Sequence, residues 1–210
     1  PFAGRTKYAD KKVGGYYAAR FAIAEHLQKL GKQKRLKLRI KVVVPIGCFG
    51  RLERRRLDDP FVRLGCVKIF TDGSLGARTA ALKEPYVDEP STKGVLYYSK
   101  KELVRLISGA DEAGFQIAVH AIGDLALGQT LDAFKGLMSS RQIGKKRHRI
   151  EHASVLNPSL IARIKELGLL VCVQPHFVVS DFWVEKRLGH ERARWTYAFK
   201  SLIDAGVCIA

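Results

Sequence analysis

A chain of 210 residues that is 47% hydrophobic and 9% aromatic can bury a sizeable core, which excludes a largely disordered protein. No apolar run approaches the ~20 residues of a membrane span, and the opening PFAGRTKYADKK is not a charged segment leading into an apolar one, so a soluble, cytoplasmic protein without membrane contact is expected. The formal charge of +17 is concentrated in the first third, where residues 1–65 hold 17 Lys and Arg against 5 Asp and Glu.

Such a stretch can attract nucleic acid or other anions. The runs KLGKQKRLKLRIK and RLERRR, however, lack the interleaved aromatics of a single-strand platform, so a solvated basic surface is the simpler reading. A basic nucleic-acid- or anion-binding protein on an incomplete barrel stays as the alternative. Cys48, Cys66, Cys172 and Cys208 form no close pair and no metal-ribbon spacing, which argues against a disulfide framework or a cysteine zinc site.

In chain order, residues 15–30 (GYYAARFAIAEHLQKL) predict a helix, and LKLRIKVVVPI (36–46) predicts the first strand. CVKIFTDG (66–73) predicts a second strand, and a long irregular piece follows over residues 74–98. Loops of that length in compact domains usually serve function. Ser99 and Glu102 form a capping box that opens a helix ending at Gly114. FQIAVHAIG (115–123) is the next strand, and Asp124 is placed to cap LALGQTLDAFKGLMSS. HRIEHASVL (148–156) is followed by a helix opened by Asn157-Pro158 and closed by Gly168, then by LLVCVQPHF (169–177). RARWTYAFKSLIDAG predicts a last helix ending at Gly206, before the strand VCIA (207–210). Strands alternating with helices that end in glycine predict parallel βα units in one domain over residues 1–210, an α/β fold. A complete (β/α)8 TIM-type barrel takes ~250 residues, so if these units belong to a barrel some of its strands are missing.

Alternation along each strand tests which polar side chains point away from the helices. With Val67 and Ile69 toward the helices, Lys68 points inward; with Ile117 and Val119 out, His120 points in; with Val171 and Val173 out, Gln174 points in. HRIEHASVL fits less well, because placing His152 inward sends Ile150 inward and Glu151 outward. Two histidines and a lysine at strand ends could supply a zinc or similar divalent ion, since a lysine carboxylated on its ε-nitrogen becomes an oxygen donor. Taken singly, a strand histidine more often has a structural role, and Lys68 could pair with Asp72; the joint pattern favours a metal.

The segments VKIFTDGSLGARTAAL, EPYVDEP, KGVLYY, VHAIGDLAL, HRIEHASVL and VCVQPHF resemble, in order and spacing, the YtcJ-like branch of the amidohydrolase superfamily over residues 36–210. The resemblance implies a metal-dependent hydrolase on part of a distorted (β/α)8 barrel, about strands three to eight. In it Lys68 matches the carboxylated, metal-bridging lysine, and His120 and His152 match the metal-binding histidines of the fifth and sixth strands. Metal-activated water would then attack a non-peptide carbon–nitrogen bond of an amide-like small molecule, with one or two divalent ions, zinc foremost. Asp72, Gly73, Arg78 and Gln174 become candidate substrate-binding or supporting groups, and no residue is singled out as the catalytic proton-transfer group. The family's first-strand H-x-H pair is not seen in residues 1–65, where His26 stands alone. The aspartate segment of the eighth strand would begin where the sequence reaches Ala210. An exposed sheet edge and self-association into a homo-oligomer are expected of such a piece.

Overall fold

The computed structural model describes residues 23, 25–48, 60–137 and 146–210; most of the helix expected over 15–30 lies outside them, and helical backbone runs over 25–32. Five parallel strands, β1 (Ile40–Pro45), β2 (Val62–Phe70), β3 (Gln116–Ala121), β4 (Arg149–His152) and β5 (Leu170–Cys172), lie side by side in chain order. At the far edge Val171 bridges Ile209 in parallel, and the Ala210 N–H donates to the Val171 carbonyl at 2.9 Å, so all six expected strands are found. This is part of a (β/α)8 barrel. Among the described residues no helix is long and apolar enough to cross a membrane.

Three helices, α1 (Lys100–Glu112), α2 (Asp124–Lys135) and α3 (Pro158–Glu166), link successive strands on one face of the sheet. Short turns follow, α4 (Phe177–Ser180), α5 (Val184–Leu188) and α6 (His190–Ala193), then α7 (Phe199–Asp204). The capping box holds: the Ser99 hydroxyl accepts from the Glu102 N–H at 3.3 Å, and the Glu102 carboxylate accepts from the Ser99 N–H at 2.9 Å. Ser99→Ala is therefore expected to lower stability by ~1 kcal/mol, read as a shift of the urea midpoint at unchanged slope. Asn157 caps α3 as its sequence suggests, accepting from the Leu160 N–H at 2.9 Å.

Two expectations need correction. Asp124 is not the cap of α2: Gly123 holds that position, and Asp124 instead accepts from the Lys83 N–H at 3.0 Å. The last helix does not begin at Arg192; Tyr197 turns into the left-handed region at φ 55°, and its N–H donates to the Ser154 carbonyl, so α7 starts only at Phe199.

Val67, Ile69, Ile117, Val119, Ile150 and Val171 all point at the helices and are wholly buried against Leu103, Ile107, Leu131 and Phe134. Each such side chain contributes ~1.5–3 kcal/mol by leaving water. The opposite face carries the polar residues. Segment 74–98 has no regular structure, yet Leu75, Ala80, Leu82 and Tyr86 form a second core with Ile122, Val155 and Leu188. The Ala81 carbonyl accepts the N–H groups of Leu125 and Ala126, at 3.2 and 3.4 Å, so the loop itself satisfies the first amides of α2.

Candidate metal centre

Strand register sets the inner face in rows. Lys68, Ala118, Arg149 and Leu170 are aligned in one row, and Phe70, His120, Glu151 and Cys172 in the next toward the strand ends. Glu151 therefore shares the face of His120 and Lys68, and Ile150 packs against the helices, the reverse of the parity expected from placing His152 inward. His152 nevertheless joins the site. Its backbone leaves the strand at φ 78°, followed by Ala153 at φ 47°, and this double left-handed turn swings the imidazole back to within 4.6 Å of the His120 ring, centroid to centroid. A non-glycine residue in that region costs ~1–2 kcal/mol, and such strain concentrates at functional positions.

The two imidazoles are held in opposite tautomers. His120 Nε2 faces the Gly73 carbonyl at 2.8 Å, and a carbonyl only accepts, so Nε2 carries the proton and Nδ1 keeps its lone pair. The Gln174 amide nitrogen donates to the Cys172 carbonyl at 3.3 Å, which turns its oxygen toward His152 Nδ1. His152 Nδ1 therefore carries the proton, and Nε2 is left free. Burial is the largest cause pushing both histidines down, His120 to about 4, so both rings are neutral near pH 7.

Lys68 lies one row below. Its Nζ is 3.9 Å from the Glu151 carboxylate and 5.2 Å from the centre of the Phe70 ring, and burial pulls its amine below the usual lysine range. Its partner is Glu151 rather than Asp72. Glu151 is bound more tightly by Arg149, whose Nε is 2.6 Å from the same oxygen. Phe70 lies 5.1 Å from the His120 ring, and Phe177 is near-parallel to His152 at 6.2 Å, so aromatic side chains flank both imidazoles.

The remaining sequence candidates are engaged with protein groups. Asp72 is buried, and its carboxylate accepts from the N–H groups of Ala81, Ile122 and Gly123 at 2.9, 3.1 and 2.8 Å. Burial outweighs these bonds and lifts its pKa to about 6. Gly73 is tightly enclosed: a Cβ there would lie 2.0 Å from Thr79 Oγ1. Arg78 forms a two-pronged pair with Asp88, at 3.1 and 2.7 Å. Structure thus brings Lys68, His120, His152, Gln174, Asp72 and Gly73 together, while Arg78 is engaged with Asp88. Glu151 and Arg149 are neighbours of Lys68 that the sequence did not single out as site residues; the charged pattern R-I-E-H was the available signal for them. Among the described residues no three His, Cys, Asp or Glu side chains gather as a ligand set, so the donors present are two imidazoles and a lysine.

Residues 12–210 match the profile of the Amidohydrolase family. The chain is 46% identical to YtcJ of Bacillus subtilis over 157 residues, covering 74% of this chain and 29% of that protein. It is 25% identical over 159 residues to the N-substituted formamide deformylase of Arthrobacter pascens, covering 71% of this chain and 27% of that one. Among solved structures, an uncharacterized metal-dependent hydrolase from Pyrococcus furiosus superposes with TM-score 0.77 at 39% identity, covering 89% of this chain and 39% of that one. The chain therefore spans less than two fifths of the length of each of these proteins.

Proposed function

The chain belongs to the amidohydrolase family, and from that premise we propose that it carries part of the active site of a metal-dependent hydrolase acting on a non-peptide carbon–nitrogen bond of an amide-like small molecule. The observation that carries the reading is the pair of neutral imidazoles 4.6 Å apart, each with one nitrogen occupied by a protein acceptor and the other free to bind metal. Neutral imidazole nitrogen suits a borderline divalent ion, zinc foremost. Lys68 does not fit as an ammonium. It fits after its free amine adds to carbon dioxide, forming an N–C bond and releasing a proton to solvent, which yields an anionic carbamate. The burial that favours the free amine is the feature of this chain that supports the step.

When bound, a divalent ion supplies Lewis acidity that activates water and polarises the scissile carbonyl. The chain's own residues do the rest. Gly73 and Gln174 fix the two ring tautomers, Asp72 holds the turn after His120, and Phe70 and Phe177 flank the rings. Asp72, Gly73 and Gln174 thus serve substrate binding by holding the histidines, and Arg78 by shaping the segment over residues 74–98. An N-formyl or N-acyl amine, a cyclic amide or a carbamate suits this chemistry, and the name of the Arthrobacter relative supports the first of these.

The test is incubation of the purified chain with zinc and 13C-labelled bicarbonate, followed by elemental analysis and 13C NMR. Bound zinc together with a carbamate resonance that vanishes in Lys68→Met is the expected result; neither zinc nor carbamate overturns the proposal. Gln174→Leu removes the acceptor that fixes His152. It is expected to weaken zinc binding by ~10–100-fold, measured by competition with a chromophoric chelator.

A further inference from the structure

The three consecutive residues that follow β2 hold His120 and the turn just after it at different points. The Thr71 N–H and hydroxyl both donate to the His120 carbonyl, at 3.0 and 2.6 Å. Asp72 accepts the N–H groups of Ile122 and Gly123, just downstream of the histidine, and that of Ala81 from the long loop. Gly73 takes the ring proton on Nε2. The Thr71 N–H bond is the last rung of the β2–β3 ladder, whereas the Thr71 hydroxyl, the Asp72 carboxylate and the Gly73 carbonyl act beyond it, since β2 ends at Phe70 and β3 at Ala121.

Asp72 is the unusual member. A carboxylate that is 1% exposed is costly to bury, and its hydrogen-bond partners are three backbone amides rather than a cationic side chain. Its two oxygens lie where loop 74–98 and the turn into α2 come closest: a Cβ on Gly123 would be 2.0 Å from the Ala81 carbonyl. Asp72 Oδ1 is also 3.4 Å from His120 Nε2, beside the Gly73 carbonyl. A neutral asparagine has one acceptor oxygen and would set an NH2 group against at least one of the three amides.

We propose that Asp72, together with Thr71, is a positioning residue for His120: the pair ties the segment leading into Gly73 to the His120 carbonyl and to the turn just after it, so that the Gly73 carbonyl holds the imidazole in the Nε2–H tautomer with Nδ1 free. The inference rests on the metal-centre reading above but concerns the ring's state, which exists with or without metal. Neither residue is assigned a contact with substrate.

The experiment uses the 210-residue chain and three variants, Asp72→Asn, Thr71→Val and Asp124→Ala. The last cuts a different tie between the loop and α2, the bond from the Lys83 N–H, and leaves the His120 contacts in place. Imidazole 15N shifts report the His120 tautomer in metal-free protein, thermal melts report folding, and zinc titration reports affinity. Asp72→Asn is expected to convert a single Nε2–H tautomer into a mixture and to weaken zinc by at least ~10-fold, and Thr71→Val to do the same to a smaller degree. Asp124→Ala is expected to lower the melting temperature without changing the tautomer. An unchanged tautomer in both Thr71→Val and Asp72→Asn overturns the proposal. So does a tautomer shift in Asp124→Ala that matches theirs at equal loss of melting temperature. If Asp72→Asn does not fold, Thr71→Val decides alone. A parent chain that binds no zinc counts against the metal-centre reading, while the tautomer comparison still decides this one.

Discussion

Replacing His120 and His152 together by alanine is expected to bring the metal content of the purified chain to background, and each single change to cost more than the ~10–100-fold that loss of a supporting partner costs. The reason is numerical: the free nitrogens His120 Nδ1 and His152 Nε2 are the two neutral donors found here, and among the described residues no third His, Cys, Asp or Glu completes a ligand set with them. Because imidazole must be neutral to bind metal, burial that holds His120 at about 4 keeps this ligand unprotonated to well below neutral pH. The backbone at His152 adds a sharper test. Its φ of 78° strains any side-chain-bearing residue, so His152→Gly is expected to be more stable than His152→Ala by ~1 kcal/mol in urea unfolding, although both lose metal. Equal stability of the two variants would mean that the left-handed turn is not maintained without the imidazole. Elemental analysis that finds metal retained in the double alanine variant would sink the assignment of both ligands.

Much of this was legible in the sequence because parallel βα units repeat their punctuation. Alternation placed Lys68 and His120 on the inner face, and Ser99, Asn157 and the glycines at 114, 168 and 206, all at positive φ, marked helix ends. Alternation failed at β4, and for a definite reason. It assumes extended backbone, whereas His152 and Ala153 are both left-handed, so Glu151 and His152 reach the same side from adjacent positions. Segment 74–98 was legible as a long loop but not as a packed one. Its second core draws Ile122, Val155 and Leu188 from three distant parts of the chain, and on the loop side its ties to α2 run through backbone groups, the Ala81 carbonyl and the Lys83 N–H, which leave no mark on residue type. Asp124 looked like a cap because a carboxylate at a helix start usually is one. Here the Ala81 carbonyl already takes the first free amides, and the side chain is released to bind the loop.

At the opposite end of the strands, His148→Ala is expected to cost about 3–5 kcal/mol, the range for removing one partner of a buried charged network. His148 is wholly buried; its Nδ1 accepts from the Ile117 N–H at 3.0 Å, so Nε2 carries the proton and donates to the Asp111 carboxylate at 2.9 Å. Lys146 reaches the same carboxylate oxygen at 2.7 Å, and the Phe134 ring lies 5.6 Å away. One imidazole thus joins the last turn of α1, the start of β3 and the approach to β4. Alanine would leave the Ile117 amide without an acceptor and a void beside Phe134. The same geometry fixes a pH dependence. Burial pushes His148 below its ordinary value of 6.5, so between the two values the unfolded chain binds a proton that the native chain does not. Stability therefore rises with pH across that window and is lost as pH falls below 6.5. His120 and His152 act in the same direction, whereas Asp72, lifted from 3.8 to about 6, gains its proton more readily in the folded state and opposes them below pH 6. Urea midpoints followed from about pH 7 to 5 isolate the His148 share as the difference between parent and His148→Ala, which should show the shallower decline. Parallel pH profiles for the two proteins would remove His148 from the acid-sensitive set and leave its contribution purely one of packing and hydrogen bonding.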